Sequence, residues 1–368
     1  FQHVSHPDVH GMLPLFALYF SKAYYNFPRP PCQFKVVRRI YCPVEKISLE
    51  RRKDLVRLPS RFPPEGRLLH TSENQAACAG PEALRRAMET GAILEGIALS
   101  CGVGHELTVA LGPFTGVIPR EETALGVAQG ETRDIAILSR VGKPVCFTVE
   151  ALEEREGALY PILSRRRAQQ LALDWMLETW RPGQVVEAAV THLEPFGAFV
   201  DIGCGVPSLI GIENISVARI PHPAARFAVG DAILAVVQDL DPARGRVYLT
   251  HKELLGTWEE NARRFRPGMT VPGIVRGVKD YGAFVELSPN LSGLAERSPL
   301  LHEGGRASVY IKAILPQSMK IKLLAIDALP PAPERPPLEY FITGGRVDKW
   351  KYAPPGCSKI GPESVFCG

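Results

Sequence analysis

Two stretches of 22 residues in this chain share a pattern, with the common residues at identical spacing, and this repeat constrains the fold more than any other feature. It reads RPGQVVEAAVTHLEPFGAFVDI at 181–202 and RPGMTVPGIVRGVKDYGAFVEL at 266–287. The Arg-Pro-Gly start and the Gly-Ala-Phe-Val core at 197–200 and 282–285 are shared. Because a unit that occurs twice is expected to fold twice, the sequence predicts tandem copies of one small domain.

Each copy has the pattern of a small β-barrel. From Ile93 onward, short alternating apolar runs are broken by Gly, Pro and Asp about every ten residues. In the clearest copy, at 183–252, the predicted strands are QVVEAAVTHL, PFGAFVDIG, VPSLIGI, DAILAVVQDLD and RVYLTHK, with a polar insertion containing His222 and Pro223 before the fourth. Five strands with that insertion are typical of the oligonucleotide-binding (OB) barrel.

A third and weaker copy is predicted before these two, and helical segments lie between the copies. PEALRRAMETG has Pro81 in its first turn and Gly91 after its end, as a short helix requires. The fold class is therefore predicted to be mainly β: three tandem five-stranded OB barrels joined by short helical linkers, with a poorly ordered N-terminal segment and an extended C-terminal tail. The predicted boundaries are 1–60 (disordered, or outside the native protein because the chain starts with Phe), 61–90 (lead-in), 91–167 (degenerate barrel), 168–182 (linker), 183–252 (barrel), 253–265 (linker), 266–328 (barrel) and 329–368 (Pro-rich, aromatic and basic tail).

Composition narrows the class of protein. Hydrophobic residues make up 45% of the 368, yet no apolar run approaches the length of a membrane span, so we expect a soluble, cytoplasmic protein. The eight cysteines form no CxxC pair, which indicates reduced thiols and neither a disulfide scaffold nor a metal site. Residues 1–70 hold 12 Lys/Arg against 5 Asp/Glu, which leaves a net charge of −3 for the rest. Net charge alone therefore does not argue for nucleic acid.

Enzyme signatures are missing from the sequence. It contains no GxxxxGK[ST], no GxGxxG after a predicted strand, no HExxH and no GxSxG motif. We therefore expect no catalytic residues, no cofactor and no bound metal.

Paired aromatic residues are the strongest candidates for a binding site. Phe196 and Phe199 flank Gly197 and Ala198, where we expect a bulge to bring both rings to one surface. Tyr281 and Phe284 occupy the same positions in the last copy, and a tyrosine in place of phenylalanine indicates a hydroxyl that faces water. Exposed rings on a barrel stack unpaired bases.

The middle copy resembles, over its full length, the repeat of bacterial small-subunit ribosomal protein one, here called the S-one repeat. The similarity follows RPGQVVEAAV, PFGAFVDIGCGVPSLI, ENIS, Arg219, VGD and DLDPARGRVYLTHK in order. In that family RNA contacts two aromatics, a histidine on the third strand, and an Asp and an Arg near the last hairpin. The resemblance places these here at Phe196, Phe199, Gly211, Asp241 and Arg246, so the histidine is missing.

The other copies depart further from the family pattern. The last copy supplies Tyr281, Phe284, Glu296 and Lys320, without an equivalent of the Asp, and Glu296 is expected to repel phosphate unless it lies at the rim. The first copy has no aromatic pair and offers only His105, Phe114 and the basic run Arg165, Arg166 and Arg167. We expect that copy to act as a scaffold or protein-docking barrel. The resulting set of candidate RNA-binding residues is Phe196, Phe199, Arg219, Asp241, Arg246, Tyr281, Phe284 and Lys320.

These residues predict a non-catalytic protein that binds single-stranded RNA with low sequence preference. The resemblance implies a role in translation, with messenger RNA and the small ribosomal subunit as partners and neither a membrane nor a small-molecule substrate. Two other functions stay open: an auxiliary regulatory RNA binder, and a protein-interaction or ribosome-docking module with incidental RNA contact. The missing histidine favours docking, whereas the paired aromatics in two copies favour RNA. A further alternative is that the chain is the detached barrel array of a larger enzyme. Without a catalytic segment, such an array would bind and would not catalyse a reaction.

Overall fold

The computed structural model describes residues 60–155, 158–331 and 338–367. Except for Ser60, the segment predicted to be poorly ordered lies outside these residues, as do residues 332–337 of the Pro-rich stretch. The prediction of three closed five-stranded barrels is confirmed. We number them barrels 1, 2 and 3 in chain order.

Barrel 1 closes in the strand order β1–β2–β3–β5–β4. Its strands are β1 Leu94–Cys101, β2 Leu107–Leu111, β3 Phe114–Ile118, β4 Pro144–Arg155 and β5 Ala158–Ser164. All neighbours are antiparallel except β3 and β5. The short helix α3, Asp134–Leu138, lies in the long connection between β3 and β4. Alternate residues point inward, and Phe147 and Leu163 are fully buried in the core.

Barrel 2 has the same topology, with strand order β10–β8–β7–β6–β9 and a β9–β10 pairing that closes it. Its strands are β6 Val185–Glu194, β7 Gly197–Asp201, β8 Pro207–Gly211, β9 Ala232–Asp241 and β10 Arg246–Thr250. The predicted insertion between the third and fourth strands holds helix α5, Ile212–Ile215, and a 3₁₀ turn at Pro223–Ala225. Phe227, which follows that turn, is 1% exposed and packs in the core, so the insertion is tied to the barrel.

Barrel 3 repeats the arrangement in the order β11–β12–β13–β15–β14. Its strands are β11 Thr270–Lys279, β12 Gly282–Ser288, β13 Leu291–Ala295, β14 Arg306–Leu315 and β15 Lys320–Leu329. In all three barrels the first strand has a register shift at the same place, between Ala98 and Ser100, between Val190 and His192, and between Val275 and Gly277. A shift of this kind bends the strand and increases its twist, which helps so short a sheet to close.

Four helices precede or link the barrels. They are α1 Ser72–Ala77, α2 Pro81–Thr90, α4 Arg165–Thr179 and α6 Trp258–Ala262. Helix α2 begins at Pro81 and ends at Gly91, whose φ of 63° needs glycine, as the sequence predicted. Helix α4 follows β5 directly and buries Ala168 and Met176 against barrel 2. Helix α6 begins with a capping box formed by Thr257 and Glu260.

A buried ionic network joins barrel 1 to barrel 2. Glu65, in the lead-in, accepts hydrogen bonds from Arg165 at 2.7 and 2.9 Å, and both side chains are only 5% exposed. The backbone N–H of Glu65 donates to Asp201 at the end of β7 (2.7 Å). Burial, together with the negative charge of Glu65, raises the pKa of Asp201 to about 7. The lead-in therefore fixes the first linker helix to barrel 2.

A second buried network joins barrel 2 to barrel 3. Glu286 on β12 accepts hydrogen bonds from Arg226 of barrel 2 at 2.8 Å and from Arg276 of barrel 3 at 2.6 Å. Asn290, in the turn after β12, accepts from the backbone N–H of Val217 and donates to the carbonyl of Lys252. Both contacts cross from one barrel to the other, so the two barrels pack as one body.

The C-terminal tail is more ordered than the sequence predicted. Strands β16, Lys349–Lys351, and β17, Glu363–Val365, form a two-stranded sheet. Trp350 and Tyr352 are 4% and 8% exposed, and they pack in the same cluster as the core of barrel 3. The aromatic residues of the tail therefore belong to packing, whereas Lys349 and Lys351 beside them are exposed. In the described part of the chain, no helix combines the length and the apolar run that a membrane crossing requires.

Candidate nucleic-acid interface

The two rings predicted on barrel 2 lie side by side on its outer surface. Phe196 sits in the two-residue turn before β7 and is 56% exposed, and Phe199 on β7 is half-buried. Their centroids are 5.9 Å apart at 86°, an edge-to-face contact. The bulge predicted at Gly197 and Ala198 is wrong, because β7 pairs regularly with β8 and the register shift lies in β6. The turn is what brings Phe196 beside Phe199.

Strand pairing extends this pair into a row of outward-facing residues that crosses barrel 2. Phe199 is opposite His192 on β6 and Leu209 on β8, Leu209 is opposite Tyr248 on β10, and Tyr248 is opposite Asp239 on β9. None of these five side chains is buried. We call this set the outer row of barrel 2. It places two further rings, those of His192 and Tyr248, on the same face as Phe199.

The rings of His192 and Phe199 are close to each other. Their centroids are 6.3 Å apart and their planes are tilted by 34°. The imidazole nitrogen Nε2 of His192 lies 2.7 Å from a carboxylate oxygen of Glu194, and the His192 side chain is 62% exposed. Gly211, which stands where the S-one family has its histidine, has no side chain to offer. An imidazole is therefore present on this face, but on a different strand.

Barrel 3 carries the second predicted ring pair in the same arrangement. Tyr281 is 68% exposed and Phe284 is 39% exposed, with centroids 6.2 Å apart at 89°. The strand register defines an outer row of barrel 3 that is equivalent to the row of barrel 2. It consists of Gly277, Phe284, Leu294, Lys322 and Ala313.

The predicted polar residues of barrel 2 fall at two different places. Asp241 and Arg246 are opposite each other at the hairpin of β9 and β10. Each lies two residues along its strand from the outer row, that is, from Asp239 and Tyr248. Asp241 also accepts the backbone N–H of Arg244 at 3.1 Å. Arg219 lies in the loop after α5, next to Ala218, whose backbone N–H donates to Pro289 of barrel 3. Among the described residues no contact joins Arg219 to the rings.

In barrel 3 the predicted charges are partly neutralised. The ammonium group of Lys312 lies 2.9 Å from Glu296, and this contact lowers the pKa of the Glu296 carboxyl. The repulsion of phosphate expected from Glu296 is therefore offset by its partner. Lys320 begins β15, is exposed, and is followed two residues later by Lys322 in the outer row of barrel 3.

Barrel 1 lacks the ring pair, as its sequence indicated. By strand register, Thr108 stands where barrel 2 has Phe199, and His105 stands where it has Phe196. Phe114 begins β3 opposite Leu111 and is no equivalent of either ring.

The basic run after barrel 1 is engaged in ion pairs. Arg165 is buried against Glu65, Arg166 contacts Glu122, and Arg167 lies 3.5 Å from Glu150. The basic run at the exit of barrel 1 therefore has acidic partners: Arg165 is buried, whereas Arg166 and Arg167 stay partly exposed.

Sequence reasoning missed His192 and Tyr248. His192 precedes Phe199 by seven residues in the sequence, and only the shifted pairing of β6 shows that it faces Phe199. Tyr248 lies in a strand that pairs in parallel with β8, far away in sequence. A signal for Tyr248 was present, because it is the outward residue between buried Val247 and Leu249.

Comparisons with known proteins bear on the same part of the chain. Residues 180–252, which contain barrel 2, match the family model described as the S1 RNA binding domain. The chain is 36% identical to the small ribosomal subunit protein bS1 of Leuconostoc lactis over 47% of its own length and 44% of that protein. It is 31% identical to the bS1 protein of Neisseria meningitidis over 59% of its own length and 38% of that protein. The chain thus spans less than half the length of these curated relatives.

Solved structures show a weaker likeness. A multidomain protein with nucleic acid binding domains from Streptococcus pneumoniae is 16% identical, with a TM-score of 0.21, over 64% of this chain and 73% of that one.

Proposed function

We propose that this chain binds single-stranded RNA with low sequence preference, using the ring pairs of barrels 2 and 3. The observation that carries the proposal is the recurrence of an exposed edge-to-face pair, Phe196–Phe199 and Tyr281–Phe284, at equivalent positions of two barrels. Exposing a large aromatic ring to water is unfavourable, yet these rings recur on the surface of two barrels and are not buried in a core. Every base has a π-face, so stacking on such rings is tolerant of sequence.

The energetics favour unpaired bases. Stacking of one base on one ring contributes about 1 to 3 kcal/mol, so two ring pairs on one chain supply enough for micromolar binding. Because barrels 2 and 3 pack as one body, binding at one pair raises the effective RNA concentration at the other. In a duplex the bases are already stacked on each other, so the same rings have nothing to bind. The proposal gives the chain a binding role without a chemical step.

Similarity to the bS1 proteins supports a more specific role in translation. We propose that the RNA is messenger RNA and that the chain acts at the small ribosomal subunit in the cytoplasm. The exposed Arg246 and Lys320 contribute phosphate contacts, the partly buried Asp241 orients the strand, and Arg219 acts at most at the margin. An auxiliary regulatory RNA binder uses the same rings and differs only in its partner.

Barrel 1 favours a second function for that part of the chain, namely docking to a protein. It lacks the rings, and it exposes aliphatic side chains instead: Leu99 is 50% exposed, and Ile135 and Leu138 on α3 are 66% and 45% exposed. Exposed aliphatic groups without rings suit a protein partner better than a nucleotide.

The experiment is fluorescence anisotropy with labelled single-stranded RNA and a matched duplex, at two salt concentrations. The variant Phe196→Ala, Tyr281→Ala removes the more exposed ring of each pair, and Tyr310→Ala removes a ring of β14 that is 36% exposed and lies outside the outer rows. We expect single strands to bind in preference to duplex, and the double variant to lose about 2 kcal/mol or more. Tyr310→Ala should bind like wild type. If wild type fails to bind single strands, the barrels are docking modules.

A further inference from the structure

The outer rows of barrels 2 and 3 differ in chemistry although their geometry is the same. In barrel 2, three of the five positions are rings, those of His192, Phe199 and Tyr248. In barrel 3, the positions of His192 and Tyr248 are taken by Gly277 and Lys322. One barrel thus has three rings in its row and the other has one ring and an ammonium group.

The charges near the two rows differ in the same direction. On barrel 2 the basic side chains face carboxylates: His192 lies 2.7 Å from Glu194, Arg244 lies 3.7 Å from Asp241, and Asp239 ends the row. Such a surface attracts phosphate weakly, because carboxylates stand beside its basic groups, and Asp241 is also opposite Arg246 in the strand pairing.

On barrel 3, by contrast, exposed lysines lack carboxylate partners. In the described part of the chain, no ion pair is found for Lys320 or Lys322. Glu296, the acidic residue that the sequence analysis placed in the site of this barrel, pairs with Lys312. Lys320 and Lys322 project from the same side of β15, because residues two apart on a strand share a face. Two free ammonium groups on one face are a suitable contact for the phosphates of a strand that crosses Phe284.

We propose that the two barrels contribute differently to RNA binding: barrel 2 stacks bases, with His192 and Tyr248 as two further stacking rings, and barrel 3 neutralises phosphates through Lys320 and Lys322. This inference rests on the proposed function. His192 and Phe199 lie on neighbouring strands, and Tyr248 is two strands beyond Phe199, roughly 10 Å across the sheet. Different bases of one strand therefore occupy Phe199 and Tyr248.

The division of roles has a measurable signature in the salt dependence of binding. Each phosphate neutralised on a single strand contributes about −0.7 to the slope of log K against log salt, whereas stacking contributes none. Removing the two lysines should therefore flatten the slope by about 1.4. Removing the two rings should weaken binding by about thirtyfold or more at every salt concentration and leave the slope unchanged.

The experiment compares three double variants of the full chain by anisotropy over a salt series, with folding checked by circular dichroism. His192→Ala, Tyr248→Ala removes both rings, His192→Phe, Tyr248→Phe keeps them, and Lys320→Gln, Lys322→Gln removes the charges. We expect the alanine variant to lose affinity with an unchanged slope, the phenylalanine variant to bind like wild type, and the glutamine variant to have the flatter slope.

Other results overturn one proposal or the other. If wild type binds, and Phe196→Ala, Tyr281→Ala weakens it, but the alanine variant at 192 and 248 does not, the added rings have no role. If the lysine variant keeps the wild-type slope, barrel 3 does not neutralise phosphate. If wild type itself does not bind RNA, the proposed function fails first.

Discussion

Acid should destabilise the contact between barrel 2 and the tail through one histidine. His251 is fully buried after β10, with its ring edge-to-face against Phe227 at 5.0 Å. Its Nδ1–H donates to the carbonyl of Ile215 at 2.8 Å, and its Nε2 lies 3.2 Å from the Tyr340 hydroxyl of the tail. Burial keeps the ring neutral, and the Tyr340 hydroxyl then donates to Nε2. Burial, and next the charge of Arg226, lower the pKa of His251 from 6.5 to about 4.

The sign and size of the effect follow from proton linkage. Because the pKa is lower in the folded state, the unfolded chain binds the proton first, and stability is lost as the pH falls from about 6.5 towards about 4. A difference of 2.5 in pKa corresponds to about 3 kcal/mol once both states are protonated, and to about 2 kcal/mol at pH 5.

The assay is urea denaturation at pH 7.5 and pH 5, followed by tryptophan fluorescence. Wild type is compared with His251→Gln, which keeps a polar side chain but does not titrate, and with His192→Gln, which changes an exposed histidine. Between the two pH values, wild type and His192→Gln should lose about 2 kcal/mol more than His251→Gln does. Equal losses for all three proteins would show that His251 is not held neutral by burial.

Two further predictions concern stability, measured by the same denaturation assay. Arg226→Ala leaves the buried carboxylate of Glu286 with one partner fewer and should lower the free energy of unfolding by about 3 to 5 kcal/mol. A loss below about 1 kcal/mol would mean that this contact does not join barrels 2 and 3. Gly197→Ala places a Cβ 2.5 Å from the carbonyl oxygen of Ile210 and should lower the free energy of unfolding by about 1 to 3 kcal/mol. The control Gly277→Ala, whose Cβ meets nothing within 4 Å, should not lower it. Similar losses for both variants would refute the close approach of β7 and β8.

The barrels could be predicted because the signal is local and repeated. Alternation of buried and exposed residues, turn residues at regular spacing and a duplicated 22-residue unit all point to the same strands. The order of the tail and the rigid junctions could not be predicted in this way. Glu65 contacts Arg165 across 100 residues of chain, and Tyr352 donates to Asn290 across 62. Nothing in the local pattern of either partner specifies the other.

Part of the site could be predicted because its residues recur in the repeat. Phe196 and Tyr281 were found because they recur at one position of a repeat. The ring of His192 was not found, because a one-residue shift in β6 decides which face it occupies. The sequence placed Arg165 in a basic run but could not show its burial, since its partner Glu65 lies in a segment without any repeat pattern.

The most direct test of RNA binding on these faces is ultraviolet crosslinking of the full chain to a short oligouridine, followed by mass spectrometry of the crosslinked peptides. We expect crosslinks in the β6–β7 hairpin at 192–199, at Tyr248 in β10, and at Tyr281 or Phe284 in barrel 3. Crosslinks confined to barrel 1 or to the tail would contradict RNA binding on these faces.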